Sequence, residues 1–397
     1  MIENILSGCR IVDLTQNVAG PFSTQILGDL GAEVIKVERP RGGDDTRAWQ
    51  PFEIGGRSST FLALNRNKKS ICVDLDSADG LDVLKKLCAS AGIVIHSFKP
   101  GSAEARGFGY EDLRAGRADL IYCAVSAFGE VGPLRELPGY DPLMQAFTGI
   151  MSVTGNANDE PVRVPVSLID MGTGMWAAIG ILAAVIHRMK TGHGMEVRAN
   201  LLDTGLSWMT VFIASYFASR KLPQKMGSAV TMTAPYELFK TADGRVFIAA
   251  GNDRLFAKVC KALGCDGLAV DERFATNSQR VLWRSDLHEA IEARTLRMTA
   301  TAAVDALRKE GAPCSELNDL SQALTHEQVR ASGMITDLPV DGAPQHKVVA
   351  LPLSINGRRS TATAAPPPLG ADTDAVLREH GYAREAIDDL RRRAVVA

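Results

Sequence analysis

Cys9-Arg-Ile-Val-Asp-Leu-Thr15, the turn Gln16–Pro21, the run Phe22–Leu30 closed by Gly31, and Ala32-Glu-Val-Ile-Lys-Val-Glu38 decide the fold of this chain. Two short β-branched runs flank a helix-length segment ending on glycine, so the spacing predicts strand, helix, strand. A βαβ unit of that length pairs its strands in parallel through a right-handed crossover. The pattern continues: Ser70–Leu75, Ile93–His96 and Leu120–Ser126 read as strands, and Gly80–Ala89 as an amphipathic helix. The alternation predicts an α/β class with an open, parallel, Rossmann-like sheet. The turn after the first strand, Gln-Asn-Val-Ala-Gly-Pro, has no GxGxxG, and Pro21 removes an N–H that a phosphate would need. Glu38 at the end of the second strand therefore does not make a nicotinamide-dinucleotide site. Three basic clusters, Arg39/Arg41/Arg47, Arg66/Lys68/Lys69 and Lys99/Arg106, fall at or near strand ends. Open α/β sheets bind ligands there, and the charge suits a phosphorylated one, although each cluster also reads as a solvated rim.

The later chain changes character. Leu201–Ser219 reads as one apolar helix, 220–229 as a polar connection, and 232–250 as a hairpin turning at Asp243-Gly244. Helices are expected over Asp253–Leu263, Arg284–Arg294 and Ala300–Glu310, and a Pro-rich linker over 362–370 precedes a last helix, 373–381. The expected organisation is a large domain over 1–205 completed by 335–397, a linker over 206–228, and a smaller α+β domain over 229–334.

Between the two lies Val164-Pro-Val-Ser-Leu-Ile-Asp170, followed by the uncharged run Met171–Ile186 and then His187, Arg188 and Lys190 before Gly192. Val164–Ile169 reads as a buried strand or extended segment, and Met171 onward as a buried core helix, too short for a membrane span. Asp170 is then a lone carboxylate between two apolar stretches. One reading makes it the helix N-cap. The other makes it a nucleophile kept ionised in a partly dry site, with Gly172 and Gly174 letting a ligand approach the backbone. Spacing leaves both open.

Composition bounds the rest. The 397 residues are 46% hydrophobic and 23% charged, with a net charge of −2, and carry no Lys/Arg run that would bind nucleic acid. Seven scattered Cys without a CxxC pair argue for reduced thiols and against a zinc site. The first residues lack a basic and a long apolar region, so a cytoplasmic protein with no membrane partner is expected.

Several of these stretches together resemble one family. They are Gly20-Pro21; Leu30-Gly-Ala-Glu-Val-Ile-Lys-Val-Glu-Arg-Pro40; Gly43-Asp44 with Thr46-Arg47; Leu64-Asn-Arg-Asn-Lys-Lys-Ser-Ile71; and Phe98-Lys-Pro-Gly101. Pro138-Gly-Tyr-Asp141, Gly149 with Thr154-Gly155, Asp170, Gly251-Asn-Asp-Arg254, Asp271-Glu-Arg-Phe274 and 368–377 follow in order. The set resembles the class III (CaiB/BaiF-type) CoA-transferases, the family of formyl-CoA transferase, carnitine CoA-transferase and α-methylacyl-CoA racemase. The resemblance implies that Asp170 attacks an acyl-CoA thioester, giving a mixed anhydride and then an aspartyl-CoA thioester. Such exchange needs no permanently bound cofactor and no metal; coenzyme A thioesters are the substrates. It also implies backbone N–H oxyanion partners and an interlocked homodimer.

By the same resemblance Arg39 lies near the adenine or phosphates of CoA, Lys68 and Lys69 near its 3′-phosphate, and Phe98 near the adenine, with Ser97 a further substrate- or CoA-binding residue. Gln16, Val18 and Ala19 belong to the turn at the reacting carbonyl. Two departures stand out. Arg106 is shifted by one position from the family's usual Arg, and Val18 replaces the Gln of formyl-CoA transferase, which argues against an oxalate/formyl pairing. Tyr140 stands where the racemase branch has a His, and a phenol of pKa about 10 is a poor base near neutrality. The expected function is CoA transfer from a succinyl-CoA-like donor to a small dicarboxylic acid, with Arg47, Arg163, Arg198 and Lys225 as candidate anion clamps. The alternatives are an α-methylacyl-CoA racemase or a catalytically silent CoA-binding protein.

Overall fold

Six parallel strands form one sheet: β1 (Arg10–Leu14), β2 (Glu33–Glu38), β3 (Lys68–Cys72), β4 (Ile93–His96), β5 (Ile121–Ser126) and β6 (Glu196–Asn200). The computed structural model describes residues 2–360 and 362–397, without the side chain of Glu3. The spatial order is β3-β2-β1-β4-β5-β6, and Val12 of β1 registers with Ile35 of β2 and Val94 of β4. The central strands are buried almost throughout, which is why they read as continuous Val/Ile runs. Helix α1 (Ala19–Asp29) follows β1, and α2 (Ala78–Ser90) follows β3.

The pleat sorts the strand residues between two faces. Val12, Leu14, Ile35, Val37, Ile71 and Val94 join one core with Leu84 and Leu87 of α2, and with Leu377 of α10 and Ile387 of α11, the helices defined below. The alternate positions Asp13, Lys36 and Lys68 turn to the other face, where the Asp13 carboxylate accepts from Thr24 of α1 at 2.6 Å. Because the order reverses at β1, the loops after β1 and β4 diverge and leave a crevice at the C-terminal strand ends.

Strand β6 is the element that the sequence conceals. Glu-Val-Arg-Ala-Asn is an edge strand exposed in part, so it carries no apolar run. Val164–Ile169 is the opposite case. Its apolar residues suggest a strand, yet Val166 is 60% exposed and the backbone of Val164 is satisfied by the Gln145 amide at 2.8 and 3.0 Å. That amide belongs to α3 (Asp141–Phe147), and helix α4 already begins at Leu168 and runs to Thr191. At 24 residues α4 has the length and hydropathy of a membrane span, and half of its apolar window is buried inside the fold. Gly192, at φ +78°, closes it as expected.

The expected single helix over 201–219 is two, α5 (Leu201–Trp208) and α6 (Thr210–Ser219), bent by 61°. Two compact units result: Met1–Thr148 with Val164–Ala214 and Gln328–Ala397, and Gly149–Arg163 with Ser215–Glu327. Residues 149–163, expected in the larger domain, group with the smaller unit, and 206–214 are helical rather than linker. The smaller unit has the hairpin β7 (Tyr236–Lys240) and β8 (Arg245–Ala249) extended by β9 (Cys314–Glu316). Helices α7 (Asp253–Ala262), α8 (Arg284–Thr295) and α9 (Ala300–Lys309) bury Phe256, Leu287, Ile291 and Leu307 against it. The larger unit ends with α10 (Thr373–Glu379) and α11 (Arg384–Arg392).

Candidate active site

Asp170 stands in the first turn of α4, and another residue caps the helix. The Asp141 carboxylate, on α3, accepts from the amides of Ile169 at 2.7 Å and Asp170 at 3.2 Å. Gln145 donates to its other oxygen at 2.5 Å and fixes its orientation. With the cap supplied from outside, the Asp170 side chain makes no hydrogen bond among the described residues. It lines a cavity of about 260 Å³ at the C-terminal strand ends. Burial first, then the neighbouring Asp141 charge, push its pKa from 3.8 up to about 7. Burial thus opposes the ionised form that the nucleophile reading requires, and the Asp170 carboxyl is moved towards neutrality.

The turn after β1 forms the facing wall. Three consecutive amides are pinned: Thr15 to Asp13 at 2.9 Å, Gln16 to the Ser97 hydroxyl at 3.1 Å, and Asn17 to Asp44 at 3.2 Å. Asn17 adopts φ +67°, and Lys36, fully buried, ties the Thr15 carbonyl and Asp44 together at 2.8 Å each. Val18 then occupies the N-cap of α1 with a side chain that accepts nothing. The first turn of α1 therefore receives no side-chain cap, and its Ala19 and Gly20 line the cavity with Asp170. Gly174, one turn beyond Asp170 on the same face of α4, brings this wall close: a Cβ there would lie 2.4 Å from the Ala19 carbonyl oxygen. Gly172 is packed likewise under Thr204 and Trp208. These glycines permit helix packing, not the ligand approach that was expected of them.

A second cavity of about 500 Å³ adjoins the first, sharing Gln16 and Phe98, and opens past the ends of β1, β2 and β3. Arg39, Arg41 and Arg106 line it. Arg39 donates to the Gly43 carbonyl at 2.9 Å and pairs with Asp45, and Arg106 pairs with Asp76 at 2.9 Å and lies 5.9 Å from the Phe98 ring. The shifted Arg106 thus still reaches the cavity.

Of the residues singled out by sequence, Gln16, Val18, Ala19, Ser97, Phe98, Tyr140 and Asp170 meet at the first cavity. Arg39 and Arg106 meet Gln16 and Phe98 at the second. Lys68 and Lys69 line neither. The strand starts at Lys68 rather than Ser70, so these lysines sit at its N-terminal end, away from the crevice. Lys68 is fully buried, donating to Asp13 at 3.2 Å, Asn65 at 2.9 Å and the Pro21 carbonyl at 2.9 Å, and burial pulls its pKa down to about 8. Lys69 pairs with Glu33 at 2.5 Å.

None of the four candidate clamps lines either cavity. Arg47 is held by both Glu38 oxygens at 2.7 Å, Arg198 pairs with Glu196 at 2.8 Å, and Arg163 and Lys225 belong to the smaller unit. Sequence reading missed the capping role of Asp141, the Lys36–Asp44 tie, and the placement of Lys99 and Arg135 in the first cavity. Asp141-Pro142 signals a helix start, but nothing in the sequence says that the same carboxylate caps a second helix.

Residues 6–373 match the model of CoA-transferase family III. The chain belongs to that family. It is accordingly an enzyme of the transferase class, with the fold of its CaiB/BaiF relatives. It is 35% identical over 392 residues to succinyl-CoA:glutarate CoA-transferase of Homo sapiens, covering 98% of this chain and 90% of that one. Succinate–glutarate CoA-transferase of Agrobacterium fabrum is 34% identical over 380 residues, covering 94% and 95%. The crystal structure of a CAIB/BAIF family protein from Brucella suis superposes with a TM-score of 0.84 at 37% identity, over 94% of this chain and 99% of that one.

Proposed function

We propose that this protein transfers CoA from succinyl-CoA to a small dicarboxylic acid, with Asp170 as the nucleophile. The observation that carries the reading is a carboxylate relieved of capping by Asp141 that shares one cavity with the first turn of α1, which no side chain caps. An Asp170 oxygen attacks the thioester carbonyl, the C–S bond breaks, and CoA thiolate leaves a mixed anhydride. The thiolate returns to the aspartyl carbonyl and releases the donor acid, leaving an aspartyl-CoA thioester. The acceptor carboxylate repeats the sequence in reverse and regenerates Asp170. Each tetrahedral oxyanion would be met by the Ala19 and Gly20 N–H groups at the positive end of α1.

The second cavity suits the nucleotide end of CoA. Arg39, Arg41 and Arg106 supply charge for phosphates and Phe98 an aromatic face, and the Gln16–Phe98 seam leads from there to Asp170. Donor and acceptor classes follow relatives named for succinyl-CoA with glutarate, D-citramalate and mesaconate. No His lines the first cavity, which supports transfer over a His/Asp-dependent proton exchange. A homodimer is supported by apolar side chains left exposed on α4 and α5: Met175, Trp176, Ile179, Ile186 and Trp208.

Intact-protein mass spectrometry after mixing with succinyl-CoA, with peptide mapping, tests the reading. A CoA or succinyl adduct on Asp170, absent from Asp170→Ala, is expected; turnover by Asp170→Ala would refute it.

A further inference from the structure

Three charged side chains line the cavity of Asp170: Asp170 itself, Lys99 and Arg135. The rest of the lining is neutral, with Val18, Trp49, Val125, Leu137 and Leu201 available to cover a short methylene chain. Since Asp170 is the attacking group in the proposed transfer, two cations are left to meet a second carboxylate. They are not equivalent. Lys99 stands in the turn after β4 beside Phe98, and Phe98 also borders the cavity of Arg39, Arg41 and Arg106. Lys99 thus stands next to the seam where the two cavities meet.

Arg135 stands on the loop that runs into Asp141, the carboxylate that holds the Asp170 amide. Among the described residues its guanidinium makes one ion pair, 3.2 Å to its sequence neighbour Glu136, and both side chains are more than half exposed. A pair of that kind contributes little and yields to a better-placed carboxylate. A guanidinium also presents the planar fork that matches a carboxylate bidentately, which an ammonium does not.

We infer that Arg135 is the anchor for the distal carboxylate of the diacid, gripping first the succinyl group of the donor and then the free end of the acceptor. The inference rests on the transfer reading above. A diacid held at one end by Arg135 presents its other end, across a short apolar span, to Asp170. A monocarboxylic chain of equal length fills the same space and leaves the guanidinium with Glu136 alone. Arg135 thus sets the preference for diacids without taking part in bond making.

The test compares succinyl-CoA with butyryl-CoA, which carry the same four-carbon chain with and without the second carboxylate. The rate of CoA-adduct formation on Asp170 is followed by rapid-quench mass spectrometry in the wild type, Arg135→Met and Arg135→Lys. The wild type is expected to favour succinyl-CoA by about 10- to 100-fold, the range for a hydrogen-bonded ion pair. Arg135→Met should lose that preference by slowing succinyl-CoA alone, and Arg135→Lys should retain part of it. An unchanged preference in Arg135→Met, or an equal loss with both donors, overturns the role of Arg135 and leaves the transfer reading standing. Adducts from neither donor in the wild type overturn the transfer reading, and this inference with it.

Discussion

Replacing Asp170 by Asn should make the protein more stable above neutrality, because this carboxylate is held where its charge is unwelcome. Its pKa rises from 3.8 in an ordinary setting to about 7 in the fold. A group whose folded pKa is raised contributes its stability fully below the unfolded pKa and loses it as pH climbs through the folded one. Between about pH 4 and pH 7 the unfolded chain gives up this proton while the folded chain keeps it, which lowers stability by about 1.4 kcal/mol per pH unit. The ceiling is about 4 kcal/mol, and the residual solvent contact of the carboxylate brings the expected figure to about 2 kcal/mol. Asn has the same shape and no titration. Wild type and Asp170→Asn should therefore unfold at similar urea concentrations near pH 4, with the variant ahead by about 2 kcal/mol at pH 8. Tryptophan fluorescence is a suitable probe, since Trp49, Trp176 and Trp208 all lie in the unit that holds Asp170. Parallel stability curves across this range would refute the assignment of a dry, charge-averse site to Asp170.

Four further outcomes are expected. In the free enzyme kcat/KM for succinyl-CoA should rise with pH through about 7 and level off, because the proposed attack by Asp170 needs its ionised form; Asp141→Asn should move that rise to lower pH, and an unmoved profile would contradict the Asp141 contribution. Gly174→Ala, whose Cβ would meet the Ala19 carbonyl oxygen at 2.4 Å, should push α1 away from Asp170. It should cut kcat by more than tenfold while costing about 1–3 kcal/mol of stability, read by steady-state kinetics beside urea melts. Lys68→Met should destabilise by about 3–5 kcal/mol by leaving Asp13 buried without its partner, yet leave the KM for acyl-CoA in the surviving fold unchanged. Arg106→Ala should do the reverse, raising that KM several-fold with little change in the urea midpoint, as expected for a half-buried cation lining the cavity proposed for the nucleotide end of CoA.

The α/β class, the central strands to within a residue or two, and the position of Asp170 as a lone carboxylate between apolar stretches are legible in one dimension. Buried parallel strands must be apolar throughout, and helix ends must carry their glycines and cations, so both leave marks readable in one dimension. Ile93–His96 and Gly192 are such marks. A carboxylate between two apolar stretches is another, although spacing alone could not separate a cap from a nucleophile. The cap itself is a tertiary matter: Asp141, 29 residues upstream, takes the amides at this helix end and leaves the Asp170 side chain without that task. The tertiary structure likewise drew Lys68 into the interior and set Lys99 and Arg135 beside Asp170. Those placements depend on which strand faces lie inward and on where loops return over the sheet. A lysine that neutralises a buried aspartate and a lysine that awaits a phosphate are the same letter, and only burial and neighbours tell them apart.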